Sequence, residues 1–519
     1  ILHDVCADPA ALLEAGLHEA VGRKLAEWLD ADPEVVVQQL SRPHRRYARV
    51  ARSVPDEVLR RIQGEKVPHV WFEPVSVRAY PAGSLACHVI GFSNVEGVGS
   101  AGIEQRLDRY LRGREGIRIS ERDGRGREIY SRRLLEIAAQ EGADVHLTLD
   151  LDVQEIVETV LDQRLPQTGA LAGWVVVQRV RTGEILAMAS RPHFDLNAYN
   201  KAPEEARRNR VIAFVYEPGS TFKVAVIAAA LDLGVVKPED LVDCENGLWR
   251  FRGKPLRDYH PHGVLNVADV LKKSSNIGAA KIAVQLGEER LETMLRRFGF
   301  GKPCGIELPG EEGGIFHPRS AWTSISISRI AMGHEIAVTS LQMLNAMCAI
   351  ANEGFLLRPR VVARITDTQG RPLFESTPEV LERPLSASGA RLMCRLLERV
   401  TEPGGTGVKA GVPGYRVAGK TGTAQKPIPG GYASDRNIAS FVGFLPAQQP
   451  EIAVIVVLDD PQPVRTGGGA AAPIFAEIAA QTVRILGITP DGVPPVIDPM
   501  AEFWTEPREA AGDDPRTTL

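Results

Sequence analysis

Segments with strand character fall into two sets far apart in the chain, and that separation restricts the fold more than any single motif. Residues 174–180 and 184–189 are apolar runs around the turn Arg181-Thr182-Gly183, which reads as a hairpin. Residues 416–425, 439–445 and 451–458 have the same character. Between the two sets the periodicity is mainly helical, over 221–233, 267–273, 277–286, 289–298, 340–352 and 388–400. One α+β domain is expected, with an antiparallel sheet assembled from both ends, flanked by helices at 152–165 and 473–486, and an all-helical lobe inserted between. The cleft between two such lobes is a natural place for a site.

The 519 residues leave room for more than that domain. Residues 1–144 are charged and irregular, with helical periodicity at 10–29, 56–63 and 103–111 and extended stretches at 1–6 and 70–80. They are expected to form a mixed α/β domain in front of a second one at 145–489. The tail, 490–519, is rich in Pro, Asp and Glu with little apolar content, which predicts disorder. The chain opens on Ile1 inside a strand-like stretch, so a further segment is expected to precede it.

Composition excludes some functions. A net charge of −4 provides no basic excess for nucleic acid. The six cysteines include no Cys-x-x-Cys pair, and no run is long and apolar enough to span a bilayer. His260 and His262 stand close together but without a third ligand, so neither a metal nor any other cofactor is expected.

The chemistry begins at Glu217-Pro218-Gly219-Ser220-Thr221-Phe222-Lys223. Pro218 and Gly219 break the chain just ahead of an apolar helix, so Ser220 falls at its N-terminus with Lys223 one turn on, on the same face. Burial and the helix dipole both disfavour the ammonium, which can make Lys223 the base that activates the Ser220 hydroxyl. A lone Ser-x-x-Lys recurs by chance. Two further motifs follow in order: Ser274-Ser275-Asn276, and Lys420-Thr421-Gly422-Thr423 within a strand. Ser274 can relay a proton between Lys223 and a leaving amine, and Asn276 can orient the substrate or Lys223. Lys420 is expected to bring a positive charge that depresses Lys223 and attracts a carboxylate, for which Thr421 and Thr423 offer hydroxyls. Gly422 would let a ligand lie close against the strand edge, its carbonyl between the N–H groups of Ser220 and Thr423.

With these motifs the chain resembles the class B penicillin-binding proteins, peptidoglycan D,D-transpeptidases, and within them the septal, cell-division (FtsI) type. Arg78-Ala79-Tyr80-Pro81, His88-Val89-Ile90-Gly91-Phe92 and Gly102-Ile103-Glu104 carry the likeness in the first part. Arg208-Asn209-Arg210, Glu217 to Thr221, Lys273 to Asn276 and Gly419 to Ala424 carry it in the second. The resemblance implies the penicillin-binding transpeptidase fold behind a pedestal of the dimerisation type. It also implies stem peptides ending in D-Ala-D-Ala as donors, β-lactams as inhibitors, and as partners a polytopic membrane glycan polymerase and division-complex proteins. The location it implies is the extracytoplasmic, periplasmic side of the cytoplasmic membrane, held by a single N-terminal anchor.

Other readings share parts of the pattern. Class D β-lactamases and β-lactam sensors resemble Ser220 to Lys223, but usually carry Ser-x-Val where this chain has Ser274-Ser275-Asn276. Class A β-lactamases place a Glu four residues before an Asn to activate the deacylating water. Between Ile277 and Gly419 the Asn residues are Asn345 and Asn352, preceded at that distance by Leu341 and Cys348. An acyl-enzyme without such a water waits for an amine, which favours transfer over hydrolysis. The elongation type of the same family is the remaining alternative.

Overall fold

The protein, seen in a computed structural model, is described over residues 2–122, 128–428 and 430–491. The tail expected to be disordered lies almost wholly outside these residues. Both sets of strands join one five-stranded antiparallel sheet in the order Ala418–Ile428, Gly431–Leu445, Ile452–Asp459, Ala172–Arg179, Ile185–Arg191. Its strands Ala172–Arg179, Ile185–Arg191 and Ile452–Asp459 are almost wholly apolar because both faces are covered. Trp174 and Val176 point into one core, Val175 and Val177 into the other, as the two-residue period of a strand requires. The first core is shared with the helical lobe, including Lys223–Asp232, Asn276–Leu286 and Ser340–Ala351. The second is closed by Leu151–Thr168 and Ala472–Ile485. Ala418–Ile428 is left as an edge strand, facing the helical lobe.

The first part has its own core around Val5, Leu12, Leu25, Trp28, Leu40 and Ile62. These pack under a three-stranded sheet in the order Ala48–Val54, Leu2–Ala7, Val70–Val75. Three sequence expectations are corrected here. The helix expected over 10–29 is two, Pro9–Glu14 and His18–Leu29, because Gly16 turns the chain at φ 69°. The one expected over 103–111 is likewise split, into Gly102–Arg106 and Asp108–Leu111. The extended stretch at 70–80 stops as a strand at Val75. A two-stranded hairpin of Ile117–Arg122 and Glu128–Ile137 went unread, since its charged residues hide the alternation.

The two parts are joined through His88 and its neighbours. His88 Nε2 lies 2.8 Å from the Ala206 carbonyl, and Ala86 N–H donates to Glu158, whose other oxygen pairs with Arg191 at 2.9 Å. Burial depresses the His88 pKa to about 4, so the ring is neutral at this junction. Strand Asp144–Leu147 pairs with Val362–Thr366, in a small sheet separate from the large one. Among the described residues no helix is long and apolar enough to cross a membrane.

Candidate active site

Ser220 lies in a single 3₁₀ turn, Gly219–Phe222, that runs directly into the α-helix Lys223–Asp232. Lys223 is thus the first α-helical residue, and one turn of chain brings its Nζ 3.1 Å from Ser220 Oγ. The same amine lies 2.6 Å from the Ser274 carbonyl, 2.6 Å from Asn276 Oδ1 and 3.3 Å from Ser274 Oγ. Lys420 approaches from the sheet, its Nζ 2.8 Å from Ser274 Oγ and 3.1 Å from the Thr421 carbonyl. Ser220, Lys223, Ser274, Asn276 and Lys420, separated by up to two hundred residues in sequence, therefore form one connected cluster with the Ser274 hydroxyl between the two amines.

Ser274 holds that place through an unusual backbone. It caps the helix Val267–Lys273 at φ 62°, ψ 36°, in the left-handed region that costs a non-glycine residue about 1–2 kcal/mol. This conformation reverses the chain between two helices, and it turns both carbonyl and hydroxyl of Ser274 toward Lys223. Strain of this sort is retained where the surroundings over-determine it.

Both lysines are fully buried. Burial lowers the Lys223 pKa to about 7, against a smaller opposing effect of the Asp258 carboxylate. Burial, with the charge of Lys223 added to it, pulls Lys420 well below the usual lysine range. The repulsion between the two ammoniums thus falls on Lys420, which no carboxylate offsets. This changes one expectation: burial is what depresses Lys223, and it is the charge of Lys223 that adds to the lowering of Lys420.

The substrate-binding candidates occupy the edge strand. The hydroxyls of Thr421 and Thr406 are 2.9 Å apart, and Thr423 Oγ1 accepts from the Gly467 N–H at 3.0 Å, keeping its own proton uncommitted. At Gly422 a Cβ would lie 2.3 Å from Ser440 Oγ and 2.9 Å from the Thr221 methyl. The bare backbone there admits the Ser220 turn, whereas from the sequence a ligand was expected to need that space. Gly219 in turn lies against Thr423, a Cβ on it falling 3.0 Å from the Thr423 carbonyl. The nucleophile turn and the strand edge are therefore in direct contact.

Asp258 had no motif to mark it. Its Oδ1 accepts the N–H groups of Asn276, at 2.5 Å, and Ile277, at 3.0 Å, while Oδ2 accepts the Ser275 hydroxyl at 2.7 Å. A carboxylate at this helix N-terminus fixes the orientation of Asn276, whose amide also donates to the Arg257 carbonyl at 2.9 Å. Asp258→Asn is expected to slow acylation by a penicillin roughly ten- to hundredfold, the scale of a broken buried network. It should also move the pH midpoint of the rate downward, since Asp258 supports the charged form of Lys223. A pH–rate profile matching that of the unaltered protein would remove Asp258 from the site. His260 and His262 belong to the loop beyond Asp258, and no metal-holding group of three ligands exists among the described residues. Arg208, Asn209 and Arg210 make local contacts: with the Ala213 carbonyl, the Val211 N–H and Glu205.

A buried lysine touching a serine at a helix start, met by a second lysine on an edge strand, defines a penicillin-recognising serine acyltransferase. Comparison with known proteins narrows this. The family profile of the penicillin binding protein transpeptidase domain matches residues 173–480, and that of the penicillin-binding protein dimerisation domain matches 4–147. The chain belongs to the class B penicillin-binding proteins and is a peptidoglycan D,D-transpeptidase.

It is 34% identical over 452 residues to the Escherichia coli K12 protein described as peptidoglycan D,D-transpeptidase FtsI, covering 87% of this chain and 74% of that one. It is 33% identical over 469 residues to the probable peptidoglycan D,D-transpeptidase PenA of Neisseria gonorrhoeae, covering 90% and 78%. Penicillin binding protein 3 of Mycobacterium tuberculosis, solved with aztreonam, superposes with a TM-score of 0.73 at 31% identity, over 83% of this chain and 93% of that one. A peptidoglycan synthetase from Bifidobacterium adolescentis superposes with a TM-score of 0.76 at 27% identity, over 95% and 93%.

Proposed function

We propose that this chain cross-links peptidoglycan stem peptides during septal wall synthesis, with Ser220 as nucleophile. The observation that carries the reading is the set of partners around Lys223 Nζ. A neutral amine has two N–H donors and one lone pair. The Ser274 carbonyl and Asn276 Oδ1 can only accept, so they take both donors, and the lone pair is left for a hydroxyl, of which Ser220 Oγ at 3.1 Å is nearer than Ser274 Oγ at 3.3 Å. Lys223 is then a base already aimed at its proton.

Ser220 Oγ attacks the carbonyl of the penultimate D-Ala of a D-Ala-D-Ala donor as its proton passes to Lys223. The tetrahedral oxyanion lies between the N–H groups of Ser220 and Thr423. When the peptide bond breaks, Ser274 relays the proton from Lys223 to the departing D-Ala amine. An acceptor amine on a neighbouring strand then attacks the ester, returns its proton to Lys223, and leaves Ser220 free. Lys420, Thr421 and Thr423 hold the donor carboxylate, and the donor lies as an added strand along Lys420 to Thr423. β-Lactams enter the same path and stop at the ester, a reading supported by Leu341 and Cys348 standing where a class A β-lactamase would have a Glu four residues before an Asn.

Relatives described as FtsI support the septal role over elongation. The wider setting rests on the family likeness: the extracytoplasmic face of the cytoplasmic membrane, an N-terminal anchor, a glycan polymerase and division proteins as partners. Mass spectrometry of stem peptides incubated with the enzyme should find cross-linked dimers that disappear with Ser220→Ala. Equal dimer formation by that variant would end the proposal. A fluorescent fusion spread along the lateral wall would transfer the role to elongation.

A further inference from the structure

Glu217, three residues ahead of Ser220, has no part in the chemistry above, yet three segments converge on its carboxylate. Oε1 accepts from the Glu335 N–H at 3.0 Å and from the Tyr432 hydroxyl at 3.1 Å. Oε2 lies 3.0 Å from His334 Nδ1, which must carry the hydrogen because a carboxylate can only accept. The His334 and Tyr432 rings also meet edge to face, 5.1 Å apart at 89°. The carboxylate itself is largely shielded, its side chain 16% exposed, while Tyr432 on its outer side is 43% exposed.

Each segment borders the site. Gly333, beside His334, accepts the Gly219 N–H at 3.2 Å and so abuts the nucleophile turn itself. Tyr432 belongs to the far end of the hairpin made by the Lys420 strand and its neighbour, where it pairs with Pro427. The regular register breaks between Gln425 and Pro427, so ladder bonds alone do not carry the inner strand's order out to this tip. The Tyr432 to Glu217 bond spans that break and returns the tip to the Ser220 turn.

We propose that Glu217, His334 and Tyr432 are positioning residues that hold the hairpin tip over Ser220, and so fix the part of the groove that grips an acyl donor beyond its terminal dipeptide. The proposal rests on the donor lying along Lys420 to Thr423. It predicts a split by ligand length. A short ligand is held by the inner strand alone, while a long acyl chain also needs the tip.

Tyr432→Phe removes the hydroxyl and keeps the ring against His334. Its acylation should be measured with 6-aminopenicillanic acid, which has no acyl side chain, and with a penicillin carrying a long peptide-like one. The apparent dissociation constant for the long ligand should rise roughly three- to tenfold, the size of one lost hydrogen bond, with the rate at saturation unchanged. The short ligand should be unaffected. His334→Gln, which can still donate to Glu217, should stay close to the unaltered protein, whereas His334→Ala should repeat the Tyr432→Phe result. Equal changes for both ligands, a loss confined to the saturating rate, or no change at all would overturn the proposal. If the unaltered protein were not labelled at Ser220, the assignment of the nucleophile would fail instead, so the two failures are distinguishable.

Discussion

With arginine in place of Lys223, the second-order rate of acylation by a penicillin should fall about a thousandfold or more, within the range set by losing a general base. The unaltered protein should show a rate that climbs about tenfold per pH unit below the Lys223 midpoint, near 7, and levels above it. The sign follows from the lowered pKa: below the midpoint the amine holds its proton and cannot accept one from Ser220, and above it the lone pair is free. A guanidinium stays protonated across this range, so the variant's residual rate should not respond to pH. Arginine also keeps donors for the Ser274 carbonyl and Asn276, which separates loss of the base from collapse of the cluster. Stopped-flow acylation across pH checks both points. A variant within tenfold of the unaltered protein, or a rate for the latter that is flat from acid to neutral pH, would remove Lys223 as base.

Gly333→Ala should damage fold and site together. The residue has φ 81°, a region that costs any side chain, and a Cβ there would fall 2.2 Å from the Gly219 carbonyl oxygen and 2.6 Å from its nitrogen. These are backbone atoms of the nucleophile turn, so they cannot swing aside. Left-handed strain and overpacking together amount to about 2–5 kcal/mol. For a protein of this size that corresponds to a melting temperature lower by about 2–5 °C. If the chain relieves the clash by moving the turn, Ser220 leaves the reach of Lys223, and labelling by a fluorescent penicillin should drop at least about a hundredfold in the folded fraction. Unchanged melting and labelling would mean that Gly333 and the turn are not packed as described.

What could be read from the chain and what could not divides along the distance over which each feature is decided. The Ser220 to Lys223 separation is fixed by one helical turn, so the pair was legible at once. The strands within 174–189, 439–445 and 451–458 were legible because two covered faces make the runs largely apolar. Asp258 was not, because it becomes a partner of Asn276 only after the preceding hairpin, Leu248–Phe251 with Lys254–Arg257, folds back toward the helix start. Nor was the junction of Glu217, His334 and Tyr432, whose members lie up to 215 residues apart. The break at Gly16 was hidden by apolar residues that keep a helical period on either side of it. The lowered pKa of Lys420 was hidden for a related reason: sequence gives the residue, but only the packed strand reveals that it is fully buried beside Lys223.

That last feature extends to the thermodynamics of complex formation. A ligand carboxylate placed beside Lys420 would provide a counter-charge and raise the lowered pKa of its amine, so association would draw protons from the buffer over the pH range between the two values. Binding of a β-lactam to the Ser220→Ala protein, measured calorimetrically above neutral pH in buffers of differing ionisation enthalpy, should give heats that vary linearly with that enthalpy. The slope should have the sign of proton uptake, and a slope of zero at every pH would mean that the ligand leaves the Lys420 pKa unchanged. The affinity of the site for anionic ligands would then decline as pH rises, even though the chemistry at Ser220 accelerates. The two trends define a working pH window set by the proton inventory of a pair of buried amines.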